Sequence, residues 1–207
     1  MQGVVLVTGV MAAGKSTVAQ LLAERLPRAA HVRGDVFRRM IVSGRREYLP
    51  GAPDEALAQL RLRYRLSAAT ADAYAEAGFT AVVQDVVLGE ELPAYVRLVR
   101  TRPLYVVVLA PDAGTVAARE AGRAKTGYGG TGYDGAGNGG AGNGGAGYGG
   151  AGNGGAGYGG AAWTVPALDE ALRASTPPIG LWLDTSGQTP AETVEAILAG
   201  RERARVL

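Results

Sequence analysis

Residues 3–17 read Gly-Val-Val-Leu-Val-Thr-Gly-Val-Met-Ala-Ala-Gly-Lys-Ser-Thr, and the fold is decided there. The apolar run Val4, Val5, Leu6 and Val7 has the β-branched character of a buried parallel strand. It passes directly into Gly9-x-x-x-x-Gly14-Lys15-Ser16, and a helix-period segment follows with Val18, Leu21, Leu22 and Leu26 on one face. A strand, a glycine-bounded loop and a helix in this order make a phosphate-binding loop. Its glycines let the backbone N–H groups of Val10, Met11, Ala12, Ala13, Gly14, Lys15 and Ser16 turn towards a polyphosphate, and the N-terminus of the next helix adds its positive dipole end. Gly9 to Thr17 is therefore the expected nucleotide-binding segment. Lys15 is expected on the β- and γ-phosphates and the Ser16 hydroxyl on Mg²⁺.

The chain has 207 residues and a net charge of +2, which fits one domain with a full core and too little charge to announce nucleic acid or an anionic membrane. Arginines at Arg38-Arg39, Arg45-Arg46 and Arg61-x-Arg63-x-Arg65 come in short interrupted groups, most of them expected to be solvated helix faces. Without cysteine, and with His31 the sole histidine, disulfides, cysteine zinc sites and histidine metal clusters are excluded. Only an oxygen-ligated metal stays open. No apolar run approaches the ~20 residues of a membrane helix, and the sequence enters its first strand without a basic leader. A cytoplasmic location is the expectation.

Residues 127–161 are seven tandem pentapeptides of the form Gly-(Tyr/Asn)-Gly-Gly-Ala, varied only by Thr131 and Asp134, and they hold 20 of the 33 glycines. With almost no apolar side chain to bury and the largest backbone entropy to lose, such a segment reads as a low-complexity, linker-like insertion. A stack of extended glycine-rich segments and a tyrosine-mediated interaction surface stay open beside that reading. It divides a core of residues 1–126 and 162–207.

Strand signals fall at 4–8, 29–33, 80–84, 104–110 and 179–184. Helix signals fall at 15–26, 36–43, 54–77, 92–100, 113–124, 166–175 and 190–205. This alternation predicts an α/β fold of three layers, a five-stranded parallel sheet covered on both faces. Thr189-Pro190-Ala191-Glu192 carries a capping box with proline at the first helical position.

Ligands of such sheets sit at the carboxyl ends of the strands, where Asp35, Asp85 and Asp184 stand. Asp35 is either a helix cap or, beside a phosphate loop, the base that takes the proton of a substrate hydroxyl; its position favours the base. Asp85 ends an apolar strand, as does a carboxylate that steadies Mg²⁺, against the alternative of a capping or turn aspartate. The Asp-Glu pair of motor ATPases is absent, as is the Asn-Lys-x-Asp of GTPases. Arg119 and Arg123, four apart on one helix, are candidates to clamp the transferring phosphate, against the alternative of a solvated basic face. The 184–187 segment either borders the adenine or simply turns the chain, and the turn is favoured.

Together, Gly9-x-x-x-x-Gly14-Lys15-Ser16, Gly34-Asp35, Val82-Val83-Gln84-Asp85-Val86-Val87-Leu88-Gly89, Arg119-Glu120-Ala121-x-Arg123 and Leu183-Asp184-Thr185 resemble the chloramphenicol phosphotransferase-like P-loop kinases, and more loosely the shikimate and gluconate kinases. The resemblance spans nearly all the chain outside the glycine repeat. It implies an adenylate-kinase-type sheet, ATP and Mg²⁺ as cosubstrates, and phosphorylation of a small-molecule hydroxyl. It also implies Asp35 as base and a lid that carries Arg119 and Arg123, into which the repeat is inserted. The alternatives are a nucleotide or sugar-nucleotide kinase, and an ATP-responsive binding module without acceptor-dependent turnover.

Overall fold

The computed structural model describes residues 1–125 and 164–206. The side chains of 123–125 and the whole glycine repeat lie outside what is described. The elements run β1 (Val4–Gly9), α1 (Lys15–Arg25), β2 (Ala29–Arg33), α2 (Gly34–Arg39), α3 (Asp54–Glu76), β3 (Thr80–Gln84), α4 (Glu91–Leu98), β4 (Leu104–Leu109), α5 (Ala113–Lys125), α6 (Val165–Ser175), β5 (Leu181–Leu183), α7 (Pro190–Ala199), α8 (Arg201–Ala204) and β6 (Arg205–Val206).

The sheet order is β2-β3-β1-β4-β5, all parallel, with β6 antiparallel to the start of β4. The five expected strands are thus joined by a sixth of two residues. Strands β1, β3 and β4 are buried throughout, which is why they read as apolar-rich runs without hydrophobic-polar alternation. The chain steps from β1 across to the edge strand β2, then back one place to β3. Those steps run in opposite directions, so right-handed crossovers put α1 and α3 on opposite faces. α1 packs with α7, and α3 with α2 and α4. The core lies between these layers and the sheet, filled by residues such as Leu6, Leu22, Leu92, Leu109 and Ile197.

Two helices depart furthest from the sequence pattern. The segment expected at 36–43 is helical over Gly34–Arg39 only, and the one expected at 190–205 stops at Ala199. Gly200 is the reason for the second: a Cβ there would lie 2.7 Å from Leu181 Cδ2, so the chain passes against β5, turns once more as α8, and feeds β6. At the front of α7 the capping box is present, with the Thr189 side chain accepting from Glu192 N–H and the Glu192 carboxylate accepting from Thr189 N–H. Among the described residues no helix is long and apolar enough to cross a membrane.

Candidate active site

The order of strands changes direction at β1, and the loop after β1 opens at that switch point. Gly9 has φ 144°, and a side chain there would strike the Leu109 carbonyl at 2.4 Å, so only glycine lets the loop leave between β1 and β4. Gly14, at φ 91°, stands at the N-cap of α1 and offers no side-chain cap, which leaves the first helical N–H groups open to an anion. Ala12 has a left-handed φ of 56°, unusual for a residue with a Cβ and a mark of a loop shaped by its task. Ala13 N–H donates to the Val10 carbonyl at 3.3 Å and closes the turn, with Met11 exposed at its tip. Lys15 is buried, and its Nζ donates to the same Val10 carbonyl at 2.6 Å. Ser16 and Thr17 are exposed on the first turn of α1.

Asp85, just past β3, is 3 % exposed. Its Oδ1 accepts from Val86 N–H at 2.7 Å and from Arg63 Nη2 at 2.6 Å. Arg63 comes from α3 and is itself 14 % exposed on its side chain. The expectation that the arginines of 61–65 form a solvated face is therefore corrected for Arg63. Arg61 and Arg65 are exposed, and Arg61 pairs with Glu91 at 2.8 Å. Burial pushes the Asp85 carboxyl above the ordinary range; Arg63, the Val86 N–H and Lys15 pull it down, and the charge of Asp35 pushes it up.

Asp35 lies inside the first turn of α2, whose N-cap is Arg33, and makes no capping bond. The cap reading is thus corrected. Its carboxylate is held by Arg39 one turn on, and Arg33 Nε stands 3.8 Å from Oδ1. Arg39 and Arg38 are accordingly not a simply solvated pair, since Arg38 bonds Glu47.

Six buried polar atoms at this sheet edge have no hydrogen-bond partner among the described residues: His31 Nε2, Arg33 Nε, Asp35 Oδ1, Arg63 Nε, Gln84 Oε1 and Asp85 Oδ2. Folded proteins leave few such groups, so this concentration makes the edge a candidate for binding a polar ligand or ordered water. Beside them opens a cleft of about 320 Å³ lined by Met11, Arg38, Tyr48, Leu60, Arg63 and Leu88, among others. Its floor, residues 86–89, is fixed from three sides. Thr8 Oγ1 exchanges two 2.9 Å bonds with Val87, Tyr64 Oη donates to the Val86 carbonyl at 2.6 Å, and Thr176 Oγ1 accepts from Gly89 N–H at 2.8 Å.

A second cavity of about 300 Å³ lies on the other flank of the loop, lined by residues that include Gly14, Thr17, Arg119, Thr185 and Gln188. It shares no residue with the cleft. Arg119 Nη2 donates to the Thr185 carbonyl at 3.0 Å and Nη1 to the Ala13 carbonyl at 3.4 Å. Asp184 does form a turn, its Oδ1 accepting from Ser186 N–H at 2.9 Å, and that turn borders this cavity through Thr185. Arg123 lies on α5, with its side chain outside the description. Among the described residues no three acidic, histidine or cysteine side chains gather as a metal cluster.

Residues 4–132, more than half of the chain, match the AAA domain family. The chain belongs to that family. In this AAA domain Val86 follows Asp85, so the acidic pair expected of motor ATPases is not there. No curated protein matches the chain by sequence. Among solved structures, an unliganded sugar kinase from Janibacter sp. HTCC2649 is similar with a TM-score of 0.59 and 18 % identity, over 99 % of this chain and 96 % of that one. A gluconokinase from Sinorhizobium meliloti 1021 is similar with a TM-score of 0.54 and 18 % identity, over 97 % and 92 %. The APS kinase of Mycobacterium tuberculosis, in complex with AMPPNP and APS, gives 0.59 and 16 %, over 97 % and 98 %. At these identities the likeness shows the fold alone, a parallel α/β sheet with a phosphate loop.

Proposed function

We propose that this chain is an ATP-dependent phosphotransferase that moves the γ-phosphoryl group to a hydroxyl of a small molecule. The observation that carries the reading is the gathering of unpartnered buried polar atoms on Asp35, Arg63, Gln84 and Asp85 beside an uncapped phosphate loop and a closed-floored cleft. The fold neighbours, which include a sugar kinase and an APS kinase bound to a nucleotide analogue, support it. Within such kinases the quoted motifs favour the chloramphenicol phosphotransferase-like group.

In this reading the N–H groups of residues 10–16 other than Ala13, whose N–H closes the turn on Val10, hold the phosphates, with Lys15 leaving the Val10 carbonyl for the β- and γ-phosphates. The base of ATP takes the cavity beside Arg119 and Thr185, which places Arg119 on the nucleotide side and away from the acceptor cleft. Arg123 is left as the lid arginine for the developing charge. The donor set fits Mg²⁺: Ser16 offers a hydroxyl, and Asp85 Oδ2 is a buried carboxylate oxygen without a partner. Bound there, Mg²⁺ neutralises phosphate charge. Asp35, its Oδ1 without a hydrogen-bond partner, accepts the proton of the acceptor hydroxyl as that oxygen attacks phosphorus and ADP leaves.

The experiment is ADP release by the purified chain across a panel of hydroxylated metabolites and antibiotics. Acceptor-dependent ADP that disappears in Lys15→Ala supports the kinase. ATP-induced conformational change with no acceptor-dependent turnover by any panel member overturns it in favour of a binding module.

A further inference from the structure

The turn after β5 does more than reverse the chain. Ser186 Oγ donates to Asp184 Oδ1 at 2.5 Å and accepts from Asp112 N–H at 2.8 Å. Asp112 stands immediately before α5, and its carboxylate binds Thr115 twice, accepting from N–H at 2.8 Å and from Oγ1 at 2.7 Å, which caps that helix. One hydroxyl therefore ties the first turn of the helix that carries Arg119 to the turn whose Thr185 carbonyl receives the Arg119 guanidinium. Further along the same turn, Gln188 N–H donates to the Thr185 carbonyl at 3.4 Å, and Gln188 Oε1 accepts from Thr193 Oγ1 of α7 at 3.1 Å.

Around this knot lies the 300 Å³ cavity flanking the phosphate loop. Thr185 is 3 % exposed, and its Oγ1 has no hydrogen-bond partner among the described residues, so the wall fixed by Ser186 holds a polar group in want of a ligand.

We propose that Ser186 is a positioning residue for the nucleotide: its hydroxyl sets the spacing between α5 and the 184–188 turn, and thereby the place of Arg119 and Thr185 against a bound ATP. This rests on the kinase reading above. Ser186 touches no ligand itself. Its effect on binding runs through the two walls it ties together.

The chemistry supplies a clean variant. In Ser186→Ala the backbone N–H of residue 186 still donates to Asp184, so the turn persists, while Asp112 N–H loses its acceptor. Ser186→Thr keeps the hydroxyl. The measurement is the dissociation constant of AMPPNP with Mg²⁺ by calorimetry, taken with the melting temperature of each nucleotide-free protein. A single net hydrogen bond predicts about 3–10-fold weaker binding by Ser186→Ala. Restoration in Ser186→Thr is expected, with KM for ATP moving and kcat at saturating ATP unchanged. Wild-type affinity in Ser186→Ala, whatever its melting temperature, overturns the inference and leaves the kinase reading standing, as does equal weakening in both variants. A wild-type chain that binds no AMPPNP overturns the kinase reading, and this inference with it.

Discussion

The carboxylate of Asp85 lies so close over the α-carbon of Gly34 that a methyl group there would sit 1.9 Å from Oδ2 and 2.4 Å from Cγ. Gly34 is thus the space that Asp85 occupies. Because β2 and β3 are paired in register through Arg33 and Gln84, neither backbone can withdraw to make room. Gly34→Ala is expected to swing the Asp85 side chain off its bond to Arg63 and cut turnover about 10²-fold or more, the scale seen when a positioned group is displaced by about an ångström. Circular dichroism should stay native. Full activity in Gly34→Ala would show that the placement of Asp85 is irrelevant to catalysis.

The Arg63–Asp85 pair, at 2.6 Å and nearly buried on both sides, behaves differently from the surface pairs around it. Removing one partner leaves a charge stranded in the interior, which typically costs about 3–5 kcal/mol; removing both is close to neutral. Arg63→Met should lower the unfolding free energy by about that amount, and the double variant Arg63→Met, Asp85→Asn should recover most of it. Denaturant titrations of the two single variants and the double variant give the coupling directly. Additive losses would mean that the pair is not coupled in solution.

His31 supplies the pH test, since it is the only histidine in the chain. Burial and then the charge of Arg33 lower its value below the ordinary 6.5, while a neighbouring Gln84 and the charge of Asp35 oppose them. The folded state therefore binds the proton less readily than the unfolded chain. The sign follows: this contribution to stability is complete above 6.5 and is lost as pH falls from there through the lowered folded value. Melting temperature should drop across that window in the wild type, and the drop should flatten in His31→Gln. An unchanged slope in the variant would assign the effect to the carboxylates.

What could be read from the chain depends on how local each feature is. The phosphate loop, the strand runs and the Thr189–Glu192 box are contiguous, so residue type and spacing carry them in full. Arg63 is a tertiary feature, because its partner Asp85 is 22 residues away on another element. On α3 the buried positions Tyr64, Ser67, Ala68 and Ala71 form a stripe, but by helix spacing Arg61, three residues before Tyr64, lies as near its edge as Arg63, four before Ser67, so the pattern does not single out Arg63. The end of α7 carried a local sign, Gly200 at its C-cap, whereas the packing of that glycine against Leu181 of β5 is visible only in the tertiary structure.

Asp35 and Lys15 separate the chemical step from nucleotide binding. Since α2 is capped at Arg33 and Asp35 makes no capping bond, Asp35→Asn should leave the helix and the fold unaltered. The Asn amide fits the same volume but does not accept a proton, so the chemical step should slow by about 10²–10⁴-fold with ATP affinity nearly unchanged. Lys15→Ala acts on the other quantity. It removes the ammonium that now rests on the Val10 carbonyl and is expected on the phosphates, so ATP binding and turnover should both collapse while the loop backbone persists. Single-turnover kinetics at saturating ATP, with an acceptor found by the panel, distinguish the two. Normal single-turnover rates in Asp35→Asn would remove Asp35 from the reaction, leaving its ion pair with Arg39 as its whole purpose.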